Sequence, residues 1–307
     1  MKLNSVQIGY QLYKFFGINT LFLFSYFSDI ETLKKIVGKV MLDAEYESSY
    51  FTNLKFEGFF RGRSHNHLLG SLKNGELNEF TNEKDFKNAP AEAVKRGRCN
   101  DNGESLFYAS TMLSTAIMES RPTVGQYVTI ASFVGIFDGK QFEHRISPIG
   151  YRYLKQIPGL AKSMRKMDVE KRKKKFERTD DFLDNLFHIK TRRYNFHYKL
   201  SNAIAQCFFT ETINQNGDRF SKHGLVYSSI IRDKKSYNLV LNPIYLNYYK
   251  IDFIQTFKIL YLSNSNLKLQ LLRQGFLNGE KTHPTEIFDI NWQEIEKTPE
   301  SIREYKL

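Results

Sequence analysis

The spacing of apolar and polar positions changes period along this chain. Near the start, apolar side chains recur at helical intervals. Val6, Tyr10, Leu12, Tyr13 and Phe16 form one set, and Ile30, Leu33, Ile36, Val37, Val40 and Met41 form another. This rhythm predicts a helical layer over residues 1–54, with Ser28 and Glu31 as a capping box for the second helix. The run 15–27 is largely apolar but contains Asn19 and ends in Asp29 and Glu31. It reads as a buried helix, not as a signal peptide or a membrane span, which takes ~20 apolar residues. Further on the period drops to two. Residues 56–63 read as a short strand delivering Arg61 and Arg63, residues 106–109 as another strand, and residues 127–137 as a central strand with Val128, Ile130, Val134 and Ile136 on one side. Between the last two, Ser110 is suited to cap a helix over residues 111–120, with Pro122 just beyond it. A helix over 194–212, with Ser201 as a cap, leads to strands at 224–229 and 237–241, and residues 243–307 add further strand-like and helical pieces. Strands and helices without regular alternation give an α+β class.

Composition adds a bias toward acidic ligands. The formal charge is +12, with 45 Lys and Arg against 33 Asp and Glu. That favours a phosphate-bearing ligand, an acidic partner or nucleic acid, without choosing among them. Much of the charge sits in a basic stretch at 151–193, where Lys171, Arg172, Lys173, Lys174 and Lys175 are contiguous. It reads as a solvated helical insertion, or alternatively as a footprint for a phosphate backbone. Residues 70–96 read as a polar surface connection. Cys99 and Cys207 form neither a disulfide framework nor a metal set, which points to a reducing, cytoplasmic setting. His65 and His67 have metal-like spacing, but no Cys, Asp or Glu set completes a site, so no metal is expected.

Chemically able side chains concentrate between residues 97 and 133. A polar loop, 97–103, carries Arg98 and Asn100; Tyr108 lies on the strand that follows; Glu119 lies on the helix after it. Glu119 shares a helix face with Met112, Thr115 and Ala116, not with a charged stripe. A glutamate in such company is either paired or functional. Cys99, inside the loop, reads as packed. No Gly-x-Gly-x-x-Gly follows a strand, which argues against a Rossmann dinucleotide site.

Taken in order, these parts resemble the RES domain. The matching features are a strand ending in arginine (Phe59-Phe60-Arg61-Gly62-Arg63), a Gly-Arg-x-Asn loop (Gly97-Arg98-Cys99-Asn100) and a Leu-Tyr-x-Ala/Ser strand (Leu106-Phe107-Tyr108-Ala109-Ser110). A Thr-Ala-x-x-Glu helix (Thr115-Ala116-Ile117-Met118-Glu119), a Gly-x-x-Tyr-Pro-Ser strand (Gly224-Leu225-Val226-Tyr227-Ser228-Ser229) and an Asn-x-Val-Leu strand (Asn238-Leu239-Val240-Leu241) complete the set. Ser228 stands where the family pattern has proline, so either Ser228 or Ser229 is the family serine; spacing favours Ser229. The resemblance implies an ADP-ribosyltransferase-like mixed or antiparallel sheet core with surrounding helices, here at 55–307, behind the N-terminal helical layer. It implies an enzyme that takes NAD as substrate and cleaves its nicotinamide–ribose bond by hydrolysis or phosphorolysis. It also implies a toxin role with a helix-turn-helix antitoxin as partner. On that reading Glu119, Tyr108 and Ser229 are catalytic, while Arg61, Arg98, Asn100 and Ser228 bind substrate. Two alternatives are transfer of ADP-ribose to a protein or nucleic acid, and a non-catalytic nucleic-acid-binding protein acting through the basic insertion. The N-terminal helices offer a surface for self-association.

Overall fold

The computed structural model describes residues 5–17, 19–43, 52–65, 80–136, 142–154, 156, 160, 177–188, 195–209, 212–213, 219–220, 223–229, 236–263, 265–277, 287–296 and 298–306. Three helices lead: α1 (Ser5–Phe16), α2 (Thr20–Phe27) and α3 (Ile30–Asp43). The apolar run expected as one buried helix is broken at Gly17, which takes the left-handed conformation with φ of 77°. The eight-residue α2 buries Leu21 but leaves Leu23, Tyr26 and Phe27 exposed. The cap of α3 also differs from the capping box expected at Ser28 and Glu31. Asp29 accepts the Thr32 N–H at 2.8 Å and the Thr32 hydroxyl at 2.6 Å. A carboxylate next to the helix start outcompetes the serine before it, and Ser28 instead closes α2.

The strands are β1 (Thr52–Lys55), β2 (Gly58–Ser64), β3 (Phe107–Ser110), β4 (Tyr127–Gly135), β5 (Glu143–Ile149), β6 (Thr212–Ile213), β7 (Arg219–Phe220), β8 (Gly224–Ser228), β9 (Tyr237–Leu241), β10 (Tyr249–Leu262), β11 (Asn266–Leu277), β12 (Ile290–Glu294) and β13 (Ile302–Lys306). Between β3 and β4 lies α4 (Leu113–Glu119); α5 (Tyr151–Leu154), α6 (Glu177–His188) and α7 (Asn195–Phe209) precede β6. Among the described residues, eleven strands form one mixed sheet in the order β1-β5-β8-β9-β3-β2-β4-β10-β11-β12, with β13 also paired to β11. The β5–β8 pair is parallel and its neighbours are antiparallel. The chain is therefore α+β, with a large mixed sheet and several helices. No helix among the described residues is long and apolar enough to cross a membrane.

A seam runs through this sheet. β3 pairs along its whole length with β9, and β2 along its whole length with β4, but β2 and β3 meet only at Phe60 and Ser110. The sheet thus nearly parts into two halves. One face is sealed across the seam by a single core that includes Phe59, Phe107, Phe133, Leu239 and Tyr249. On the other face the cover is divided. Helices α3, α6 and α7 pack over Ile149, Leu225, Tyr227 and Val240, and α4 packs over Val128, Ile130 and Phe257. A cleft opens between these two covers.

Several local expectations are corrected. Ser110 does not cap α4: it ends β3 in register with Asn238, and α4 starts three residues later. Ser201 lies inside α7, buried, with its hydroxyl donated to the Tyr198 carbonyl. The connection at 70–96 is not all surface, since Glu83 and Phe86 are buried. The basic stretch is not wholly solvated either. Its α6 buries Leu183, Leu186 and Phe187 against α7 and β8. Lys171 to Lys175 and His67 lie outside the described residues.

Candidate active site

At the seam a cavity of about 290 Å³ is lined from both halves of the sheet, by Phe60, Arg61, Gly62 and Arg63 of β2, Tyr108 and Ser110 of β3, Glu119 of α4, Tyr227 of β8 and Asn238 of β9. A second, more open cavity of about 480 Å³ adjoins it, sharing Gly62, Arg63, Glu119 and Ser120, and adding Phe80, Asp85 and Arg121. Glu119 stands where the two meet.

The position of Glu119 follows from how α4 is seated. Gly62 lets the helix press onto β2: a Cβ there would meet the Ala116 carbonyl oxygen at 2.5 Å. Thr115 is fully buried and donates to the Ser236 hydroxyl at 2.8 Å, tying the helix to the start of β9. The half-buried Glu119 carboxylate accepts the Asn238 amide at 2.6 Å, and the Ser229 hydroxyl lies 3.4 Å from the same oxygen. Ser110 donates to Asn238 Oδ1 at 2.7 Å, which fixes the amide so that its NH₂ faces Glu119. Both contacts fall on Oε1 of Glu119, so they set the direction of the carboxylate.

Arg61 fills the gap left where β2 and β3 diverge. Its Nη1 donates to the Tyr108 carbonyl at 3.0 Å and its guanidinium lies over the Phe107 ring at 4.7 Å. It is buried, and its Nε has no hydrogen-bond partner among the described residues. Burial, and then the charge of Arg63, lower its pKa from the usual arginine range. Guanidinium keeps its proton in proteins, so the physical content is a costly buried cation, which an anion in the cleft would stabilise. Arg63 is tied down differently, donating to the Asp85 and Lys87 carbonyls, both at 2.9 Å.

The ring of Tyr108 lines the cavity, but its hydroxyl is turned away. It donates to Asn100 Oδ1 at 2.7 Å and accepts the Cys99 N–H at 3.0 Å. Burial raises its pKa well above the usual tyrosine value. Asn100 is committed to the loop as well, donating to the Lys95 and Asp101 carbonyls. Arg98 is buried behind Tyr227 and donates to the Phe187 carbonyl at the end of α6, where a cation suits the helix dipole. Ser228 donates to Asp184 of α6 and does not face Glu119. Cys99 is fully buried, and its thiol is pushed up to about 12, chiefly by burial.

The structure therefore brings Arg61, Tyr108 and Glu119 together around one cavity, with Ser229 buried against Glu119. It places Arg98, Asn100 and Ser228 in the supports around that cavity. Asn238, Ser110 and Tyr227 are site residues that sequence reasoning did not single out. The Asn-x-Val-Leu strand carried the signal for Asn238, but its register with Ser110 did not. Among the described residues, no group of three or more His, Cys, Asp or Glu is placed to hold a metal ion. His65 is buried, with Nε2 2.9 Å from the Thr129 hydroxyl.

A model of the RES domain matches residues 77–247. This chain belongs to the RES domain family. The match covers more than half of the sequence and includes Tyr108, Glu119, Ser229 and Asn238, while Arg61, on β2, precedes it. RES membership suggests an NAD-related, toxin-like function. No curated protein and no solved structure matches the chain.

Proposed function

We propose that this RES protein is an NAD-consuming enzyme that cleaves the nicotinamide–ribose bond, acting as a glycohydrolase or phosphorylase. The observation that carries the reading is the Glu119 carboxylate, held at 2.6 Å by Asn238 at the junction of two cavities, the first of which also presents Arg61 and Tyr108. The nicotinamide of NAD leaves as a neutral molecule, taking the electron pair of the glycosidic bond, so no acid is needed to protonate it. What the reaction needs is a fixed negative charge beside the anomeric carbon as positive charge develops there, together with a hold on the ribose hydroxyls. Glu119 supplies both. Arg61 supplies positive charge for a phosphate oxygen, and the Tyr108 ring supplies a flat face for the nicotinamide or ribose. Ser229 and Asn238 orient the carboxylate. Water or inorganic phosphate then forms the new bond at the anomeric carbon; with water, the displaced proton passes to solvent. The cleft at the seam also supports an ADP-ribosyltransferase-like core. No metal enters this scheme. On the same reading the protein is a toxin held in check by a helix-turn-helix antitoxin.

The test is incubation of the purified protein with NAD, with and without phosphate, and separation of the products. Nicotinamide with ADP-ribose, or with its 1″-phosphate, is expected. Glu119→Ala, shown to be folded, should lose about 10²–10³-fold in kcat. Intact NAD under both conditions would refute the reading, and label found on a macromolecule would identify a transferase instead.

A further inference from the structure

Arg121 is the one residue other than glycine with positive φ among the described residues, at 53°. Gly17, Gly103, Gly125 and Gly150 take the other positive-φ positions there. L-residues other than Asn and Asp are disfavoured in this region, and glycine is the usual occupant just past a helix end. Arg121 occupies that position. Ser120 closes α4, the Arg121 N–H bonds the Met118 carbonyl at 3.0 Å, and Pro122 follows. A glycine would turn the chain here without strain, so the turn by itself does not account for an arginine.

The side chain gives a reason. Arg121 lies two residues beyond Glu119 and lines the second cavity. The other arginine of that cavity, Arg63, is committed to the backbone of residues 85 and 87. Arg121 is exposed, and among the described residues its guanidinium makes one long hydrogen bond, at 3.3 Å to the Tyr198 hydroxyl. The cavity has two acidic groups, and both have their own work: one Asp85 oxygen accepts the backbone N–H groups of Thr81 and Asn82, and Glu119, at the border with the first cavity, accepts the Asn238 amide. A guanidinium with spare donors beside an open cavity, one helix end away from the reacting carboxylate, is suited to phosphate.

We propose that Arg121 binds the diphosphate of a dinucleotide lying in the second cavity, and that it makes the protein prefer a phosphate-bearing substrate over the bare nicotinamide riboside. This rests on the NAD reading. The first cavity then takes the nicotinamide, its ribose and the near phosphate beside Arg61, and Arg121 meets the diphosphate where it passes into the second cavity.

Arg121→Gly separates this role from a structural one, because it removes the guanidinium while easing the backbone. The experiment measures melting temperature and kcat/KM for NAD and for nicotinamide riboside, in wild type, Arg121→Gly and Arg121→Lys. Expected for Arg121→Gly is a melting temperature at or above wild type, with the NAD-to-riboside preference reduced roughly ten- to hundredfold, since hydrogen bonds to charged groups are of that size. Arg121→Lys, which keeps a point charge but not the fork, should fall between. An Arg121→Gly preference equal to that of wild type, with wild-type NAD turnover intact, overturns the assignment of Arg121 alone. Absence of NAD turnover in wild type overturns the NAD reading and this proposal together.

Discussion

Glu119 depends on a relay that crosses the sheet. Ser110 orients Asn238, and Asn238 donates to the carboxylate, so two residues from two other elements fix one of its oxygens. Glu119 and Tyr108 are recognisable from their local surroundings, because a glutamate on an apolar helix face and an aromatic on a short strand are visible over a few positions. Asn238 is not, since its role exists only once β3 and β9 are paired. Asn238→Ala should leave the fold intact but let the carboxylate rotate. Loss of one charge-assisted hydrogen bond, about 1.5–3 kcal/mol, predicts roughly a ten- to hundredfold fall in kcat, measured by nicotinamide release at saturating NAD. A kcat equal to that of wild type would remove Asn238 from the site. Arg98 and Asn100 show the converse. Their loop motif is prominent in sequence, yet the structure uses them to anchor α6 and the loop backbone.

At the scale of elements, the site is set by how closely α4 approaches β2. The helix is short, its buried side is Ser114, Thr115, Ala116 and Ile117, and Gly62 beneath it leaves no room for a side chain. In Gly62→Ala the new methyl would displace the Ala116 carbonyl, and Glu119, one turn further on, would move with it. Overpacking of this kind typically costs about 1–3 kcal/mol. A lowered melting temperature together with loss of NAD turnover is expected; a variant as active and as stable as wild type would show that the contact is not tight. The loop carrying Arg98 is braced at the same scale. Gln206 of α7 donates to Glu104 at 2.6 Å, and Lys34 of α3 lies 3.8 Å from the same carboxylate. Lys199 of α7 donates to carbonyls at the end of α2. The N-terminal layer is thus linked through α7 to the loop beside the cleft.

For the whole molecule, stability should depend on pH through two buried histidines. His144 is fully buried, with Nε2 2.6 Å from the Tyr249 hydroxyl, and burial, then His223, lower its pKa to about 3. Burial, then Arg273, lower His65 to about 4. Both fall below the unfolded value of about 6.5. Between those values the unfolded chain binds more protons than the folded one, so stability is full above about pH 6.5 and declines as pH falls toward 4. The melting temperature should drop between about pH 7.5 and about pH 5, and His144→Phe should flatten that slope. An unchanged slope in the variant would show that His144 does not carry the dependence. Beyond the RES match, β10 continues the sheet from β4 and is followed by β11, β12 and β13, so these C-terminal strands are part of the same sheet as the site.

Read along the chain, spacing and motif order were enough for the α+β class, the strands β2, β3, β4, β8 and β9, the helical start and membership of the RES family. Those properties rest on spacing within a few residues or on motif order, and both can be read along one dimension. Helix ends were less legible, because Asp29 competed with Ser28 as a cap and Ser110 was drawn into a strand ladder. Where the sheet parts, that Arg61 fills the gap, that Asn238 meets Glu119 and that Arg121 takes a glycine's conformation beside a cavity became visible in three dimensions alone. Each of these depends on strand register and on contacts between residues far apart in sequence. A shift of one position would turn the strand side chains to the opposite face.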